Sequence, residues 1–196
     1  MRIIAGNNKA KRLNSPKTKN TRPTLDRVKE ALFSIISNYI ENAAVLDLFS
    51  GTGNLGLEAI SRGASFAWLN DSNNLAISTI ISNTQLTKSQ NYVKITKKDY
   101  TKCLAQIVQN DLKFDVIFLD PPYDSMFGIQ TLKIIDESKD KILKENGIII
   151  YETDKNFVQK LSKDFNNDVF DNFKNLKCID DRSYSNVVLK LYKWRE

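Results

Sequence analysis

The chain alternates short apolar runs with longer stretches whose apolar residues recur every three to four positions. A run of four to eight apolar residues bounded by turn formers reads as a buried strand, and the three-to-four spacing reads as an amphipathic helix. Strands are therefore expected at 44–49, 65–70, 92–96, 114–119 and 147–151. Helices are expected at 24–40, through Leu57, Ala59 and Ile60, and at 73–86, 101–109, 128–138 and 157–163. The first helix carries Val28, Leu32, Ile35, Ile36 and Tyr39 on one stripe, with Pro23 just before it and Asp26 in its first turn. Two terminal strands, about 168–178 and 186–194, are expected as a hairpin across 180–185. Strands alternating with helices build a mostly parallel sheet covered on both faces, which is a doubly wound α/β fold.

Two of the strand ends carry candidate chemistry. Phe114-Asp-Val-Ile-Phe-Leu-Asp120 runs into Pro121, Pro122 and Tyr123. Prolines cannot continue a ladder, so the chain must turn out of the sheet at Asp120, and ligands bind at such strand ends. Prolines also leave a carbonyl without a neighbouring donor. Asp120 and the Pro121 carbonyl could both accept hydrogen bonds from one exocyclic amine while Tyr123 stacks on its ring.

Upstream, Ala44-Val-Leu-Asp47-Leu-Phe49 leads into Ser50-Gly-Thr-Gly-Asn-Leu-Gly56 and then a helix. Strand, glycine turn and helix form a nucleotide-binding unit, and Gly51 and Gly53 would let the backbone approach a ligand closely. The loop formally fits the dinucleotide pattern, so a nicotinamide enzyme competes. Asp47 tilts the choice. A pyrophosphate would find its charge repulsive, whereas an amino-acid end with an ammonium group would find it attractive. S-adenosylmethionine has that ammonium, a cationic sulfonium and no phosphate.

Composition narrows the chemistry further. The 196 residues include no histidine, which removes histidine bases, nucleophile partners and metal ligands and leaves carboxylates, backbone groups and a cofactor to do the work. No metal site is expected. Cys103 and Cys178 stand alone, without zinc or redox spacing, and no apolar run approaches membrane-spanning length. A cytoplasmic monomer is expected, with residues 1–23 as a basic strand and arm and 24–196 as the catalytic domain. The formal charge of +6 is unevenly spread: residues 1–29 carry +8 and the remainder −2. Basic charge concentrated at one end, beside a site that accepts a base, reads as a nucleic-acid arm.

Arg2-Ile-Ile-Ala-Gly6, the block Arg22-Pro-Thr-Leu-Asp-Arg-Val-Lys-Glu-Ala-Leu-Phe33, the 46–59 loop and Asp120 to Tyr123 together resemble the RsmD family. Its members are S-adenosylmethionine-dependent methyltransferases that modify the exocyclic amine of a guanine in small-subunit (16S) ribosomal RNA. The resemblance implies a seven-stranded class I methyltransferase sheet with the last strand reversed. It implies Asp47, Phe49, Gly51, Thr52 and Gly53 around the methionine part of the cofactor, with Asp99 and Tyr100 at its adenine. The family's ribose-binding glutamate falls at Asn70, so either Asn70 or the following Asp71 is expected to take that role. Catalysis falls to Asp120, Pro121, Pro122 and Tyr123, and RNA contact to Arg2, Lys9, Lys11, Arg12, Arg22 and Arg27. The competing expectations are a DNA amino-methyltransferase, for which there is little room for a separate target-recognition domain, and a non-catalytic RNA-binding assembly factor.

Overall fold

The computed structural model describes residues 1–15, 26–122, 125–165 and 168–196. Ala44–Asp47 (β1) lies between Phe66–Asp71 (β2) and Phe114–Leu119 (β4) and runs parallel to both. Val93–Lys97 (β3) adds parallel to the outer side of β2, and Leu143–Asp154 (β5) follows β4. Val187–Trp194 (β7) inserts antiparallel between β5 and Leu176–Tyr184 (β6). The seven-stranded order is β3-β2-β1-β4-β5-β7-β6.

Successive strand residues point to opposite faces, which is why the central runs are apolar throughout. Val45, Leu69, Phe118 and Ile150 pack on one side with Leu32 and Phe33 of Asp26–Ile35 (α1) and Leu57 of Asn54–Ser61 (α2). Leu46, Trp68, Ile117 and Ile149 pack on the other with Leu104 of Tyr100–Gln109 (α4) and Leu132 of Phe127–Glu137 (α5). Asn74–Thr87 (α3) contributes Ile80 to the first cluster, and Lys155–Phe165 (α6) contributes Leu161 to the second. Strand order reverses at β1, so the chain leaves β1 and β4 in opposite directions and a crevice opens at their carboxyl ends.

Several expected bounds differ: β1 stops at Asp47, short of 49, and β5 spans Leu143–Asp154 where 147–151 was expected. The 24–40 helix ends at Ile35 and gives way to a 3₁₀ turn at Ser37–Tyr39, although Ile36 and Ile40 remain buried. The penultimate strand does not span 168–178; Asp168–Phe170 is a 3₁₀ turn, and β6 runs through the segment read as the hairpin turn. The chain reverses instead at Ser185 and Asn186, with Ser185 at a φ of 56°. β6 is an edge strand whose residues are mostly open to solvent, so the polar run Asp180 to Ser183 needs no apolar alternation. Both cysteines are free, and among the described residues no helix is long and apolar enough to cross a membrane.

The N-terminal residues form a small antiparallel hairpin against α2 and α3. Arg2 and Arg12 bridge, and the amides of Ile3 and Ala10 donate to Lys11 O and Ile3 O at 2.9 Å each. Ile3 and Leu13 are buried in the same cluster as α1. Gly6 sits at a φ of +78°, where an added Cβ would lie 1.6 Å from Ser61 O, so the hairpin presses directly on the end of α2.

Candidate active site

The turn after β1 is held by its own backbone. Ser50 N donates to Asn70 O (2.9 Å), Gly53 N to Ser50 O (2.7 Å) and Ser50 Oγ to Asp47 O (2.7 Å). Both glycines hold a positive φ, +55° at Gly51 and +78° at Gly53, and they differ in what surrounds them. A side chain at Gly51 would enter open space along the crevice, consistent with close approach of a ligand there. A side chain at Gly53 would meet Leu57 at 3.3 Å and Leu69 at 3.6 Å, and Gly53 does not line the crevice. Its φ of +78°, at the start of α2, explains the residue instead. Asp47 is buried and accepts from Gly56 N at 3.0 Å, bracing the first turn of α2 while it lines the crevice. Burial raises its carboxyl to about 7; the Gly56 amide opposes this, and the charges of Asp120 and Asp71 add to it.

Asn70 and Asp71 divide clearly. The Asn70 amide nitrogen donates to Leu48 O (3.2 Å) and Lys98 O (3.0 Å), and its oxygen accepts from Thr96 Oγ1 (2.8 Å). Asn70 is buried and committed to tying β1, β2 and β3 together. Asp71 stands half-exposed at the crevice rim, accepting from Gly51 N (2.9 Å) on one oxygen and Asn73 N (2.8 Å) on the other. Each of those oxygens keeps a further lone-pair direction.

Asp99 caps α4 by accepting from Thr101 N at 2.9 Å, and hydrogen bonds from Thr101 hold its carboxyl below the usual range despite some desolvation. Tyr100 stacks between Phe49 (ring centroids 5.6 Å) and Phe127 (5.2 Å), and its hydroxyl donates to Gln130 Oε1 at 2.7 Å. Phe49, Tyr100 and Phe127 give the crevice an apolar wall.

Asp120 closes the crevice at the end of β4. In-register pairing of Leu119 with Tyr151 sets it beside Glu152 of β5. Burial first, and the Glu152 charge second, push the Asp120 carboxyl well above the carboxylate range. Pro122 O accepts from Ser125 Oγ at 2.6 Å, whereas Pro121 O takes no hydrogen bond from the described residues. Tyr123 lies outside the described residues.

The crevice encloses about 750 Å³ and is bordered by Asp47, Asp71, Asp99 and Asp120, with Lys98 as the lone cationic side chain among the described lining residues. Such a site repels phosphates and favours a cationic ligand. The basic residues lie outside it. Lys9, Arg12 and Arg27 are exposed and pair with no carboxylate among the described residues. Arg2 is exposed but pairs with Asp26 (2.8 Å), and Lys11 Nζ donates to Leu86 O (3.3 Å). Arg22 lies outside the described residues. Lys29, counted in the basic segment, is withdrawn from the surface altogether at 1% exposure.

The family model described as Conserved hypothetical protein 95 matches residues 1–193. Ribosomal RNA small subunit methyltransferase D of Haemophilus influenzae is 35% identical over 156 residues, 79% of each chain. The chain belongs to the RsmD family of methyltransferases. The Bacillus subtilis protein YlbH is 36% identical to this RsmD-family chain over 155 residues, 79% of it and 83% of YlbH. The solved structure of Escherichia coli yhhF superposes on it with a TM-score of 0.79 at 26% identity, over 100% of this chain and 98% of that one.

An RsmD-family enzyme draws its methyl group from S-adenosylmethionine, and the crevice suits that donor: carboxylates for its positive groups, an aromatic wall, and open space beside Gly51. Sequence reasoning missed several lining residues. Phe127, 41% exposed beside Pro122, carries no motif, but an aromatic at the start of the helix after the proline turn was a readable signal. Asn54 reaches the crevice as the next residue of the glycine loop, whereas Met1 and Leu75 do so only through tertiary placement.

Proposed function

We propose that this enzyme transfers the methyl group of S-adenosylmethionine to the exocyclic amine of a guanine in small-subunit ribosomal RNA. The observation that carries the reading is the pair of acceptors at the end of β4, Asp120 and the Pro121 carbonyl, which no described residue engages, set at the wall of an acidic crevice. Methyl transfer to ribosomal RNA and to partially assembled subunits, followed by mapping of the modified base, tests it. Modification of a ring nitrogen or of ribose would overturn the amine assignment. The enzyme acts in the cytoplasm as a monomer, with residues 1–23 serving as an RNA arm to a catalytic body of 24–196.

Bound S-adenosylmethionine supplies an activated methyl group on a positive sulfur. Asp47 holds its ammonium end, Asp71 its ribose hydroxyls, and Tyr100 and Phe127 its adenine face. The target guanine leaves its stack, an unstacking that costs a few kcal/mol, and Tyr123 takes up the exposed ring. Asp120 and Pro121 O accept the two amine hydrogens, which pulls the nitrogen toward tetrahedral geometry and frees its lone pair for in-line attack. Asp120, whose carboxyl burial and Glu152 hold protonated in the free protein, ionises as the cationic cofactor enters; the developing positive charge forms beside it, and Asp120 together with water takes the proton.

Cofactor affinity is expected to rise with pH. Asp47 is protonated in the free protein below about 7, and a cationic ligand requires it ionised, so binding releases a proton. Affinity should fall by up to about ten-fold per pH unit below that point. The sign for stability is opposite: a raised carboxyl favours the free fold at low pH, and that contribution is lost as pH rises through about 7. Calorimetry in buffers of differing ionisation enthalpy measures the proton. A flat affinity between about pH 6 and about pH 8 would remove Asp47 from the ammonium site.

Neutralising Lys9 and Arg12 together should weaken RNA binding and lower the salt dependence of log Kd by roughly one to two. Cofactor affinity should stay as it is, since neither side chain lines the crevice. An unchanged salt slope would mean that the hairpin's outer charges are merely solvated.

A further inference from the structure

Glu58 of α2 is completely buried, at 0% exposure, and its carboxylate is surrounded by donors. Ile4 N (2.7 Å) and Lys29 Nζ (3.0 Å) reach one oxygen; Ala5 N (3.1 Å) and Arg62 Nε (2.7 Å) reach the other. Lys29 spends its remaining two protons on Arg2 O (2.6 Å) and Asn54 Oδ1 (2.7 Å). One ammonium thus joins three parts of the molecule: the hairpin backbone at Arg2, the helix α1, and the first residue of α2. Asn54 itself lines the crevice, immediately after the glycine turn.

Desolvating an ion pair costs more than packing apolar side chains of the same size, and stability alone gives little reason to keep one in a core. This pair has no exposure to solvent, so its strength does not depend on salt as a surface pair would. It stands between the segment that carries Arg2 and Arg12 outward and the loop that borders the crevice. We propose that Lys29 is a positioning residue for methyl transfer, fixing the RNA-side hairpin and the cofactor-side turn in one rigid frame so that amine and methyl group meet in line.

The proposal rests on the reading of the enzyme as an RNA methyltransferase. It separates two quantities that a merely stabilising ion pair would leave coupled: binding of each partner and the rate of the bound complex. Lys29→Met removes the links to Arg2 and Asn54 while Arg62 still balances Glu58. Asn54→Ala cuts only the link to the turn and keeps the Lys29–Glu58 pair and its contact with the hairpin. Lys29→Arg retains charge and donors.

The experiment measures kcat and KM on ribosomal RNA, S-adenosylmethionine affinity, and melting temperature for all three variants, well below the melting point. In-line reactions lose on the order of a hundred-fold for a misplacement of about 1 Å. Lys29→Met and Asn54→Ala should therefore lose about ten-fold or more in kcat, with both affinities within about three-fold and partial rescue in Lys29→Arg. Asn54→Ala keeps the test available should Lys29→Met fail to fold. Wild-type kcat in folded Asn54→Ala, or a loss confined to cofactor affinity with wild-type kcat at saturation, would overturn the positioning role. Wild-type protein inactive on ribosomal RNA would instead overturn the functional reading beneath it, and this one with it.

Discussion

Asp120→Ala is expected to abolish methyl transfer, with a loss on the order of a hundred-fold or more, while S-adenosylmethionine affinity stays within about three-fold. The guanine amine is nearly planar and weakly nucleophilic until its hydrogens are held out of the ring plane, so the acceptor at Asp120 acts on the transition state far more than on the bound cofactor. Asp47 and Asp71, the carboxylates proposed to hold the cofactor, remain in the crevice. Asp120→Asn should fall between the two, because an amide oxygen still accepts one hydrogen bond but carries no charge to face the forming cation. Single-turnover transfer with saturating cofactor isolates the step. Wild-type turnover in Asp120→Ala would remove the amine-polarising role, and a collapse of cofactor affinity would reassign Asp120 to the sulfonium.

The second large effect divides two adjacent residues. Asp71→Ala should weaken cofactor binding by roughly ten- to a hundred-fold, the equivalent of about 1.5 to 3 kcal/mol for hydrogen bonds to a charged group. Asn70→Ala should instead lower the melting temperature, because Leu48 O and Lys98 O lose a buried donor, each at a cost of about 1 to 3 kcal/mol. Titration calorimetry paired with thermal melts reads both. Should Asn70→Ala lose affinity while Asp71→Ala keeps it, the ribose belongs to Asn70. Because Asp71 also braces Gly51 N, Asp71→Asn is informative: it can keep that bond and still lose the charge.

These two residues also show how far the chain could be read directly. The central strands were legible because residues buried on both faces must be apolar; Asp120 stood out as a carboxylate ending such a run and Asp47 as one inside it, although β1 in fact stops at Asp47. The expected end of β2 fell one residue short, at 70 where the strand reaches Asp71. Periodicity reports burial and does not report which backbone group is bonded, so it ran through the 3₁₀ turn after α1, where Ile36 and Ile40 are still buried. An edge strand escapes the same signal, and β6 was lost for that reason. Lys29 was illegible in a different sense. A lysine on an amphipathic helix reads as solvated, and the Glu58 that buries it is supplied only by the fold.

The hairpin formed by the first residues has a consequence for the order in which the molecule is made. Its anchors, Glu58, Ser61 and Asn83, stand more than fifty positions downstream of the amides and carbonyls they hold. During synthesis this segment emerges well before α2 and α3: it can close on itself and meet Asp26 and Lys29 of α1 early, but its anchors on α2 and α3 are long-range contacts that close late. Until then Lys9 and Arg12 stand bare beside a surface made of ribosomal RNA. The segment that completes this fold spends its first seconds exposed to the polymer that the finished enzyme is proposed to modify.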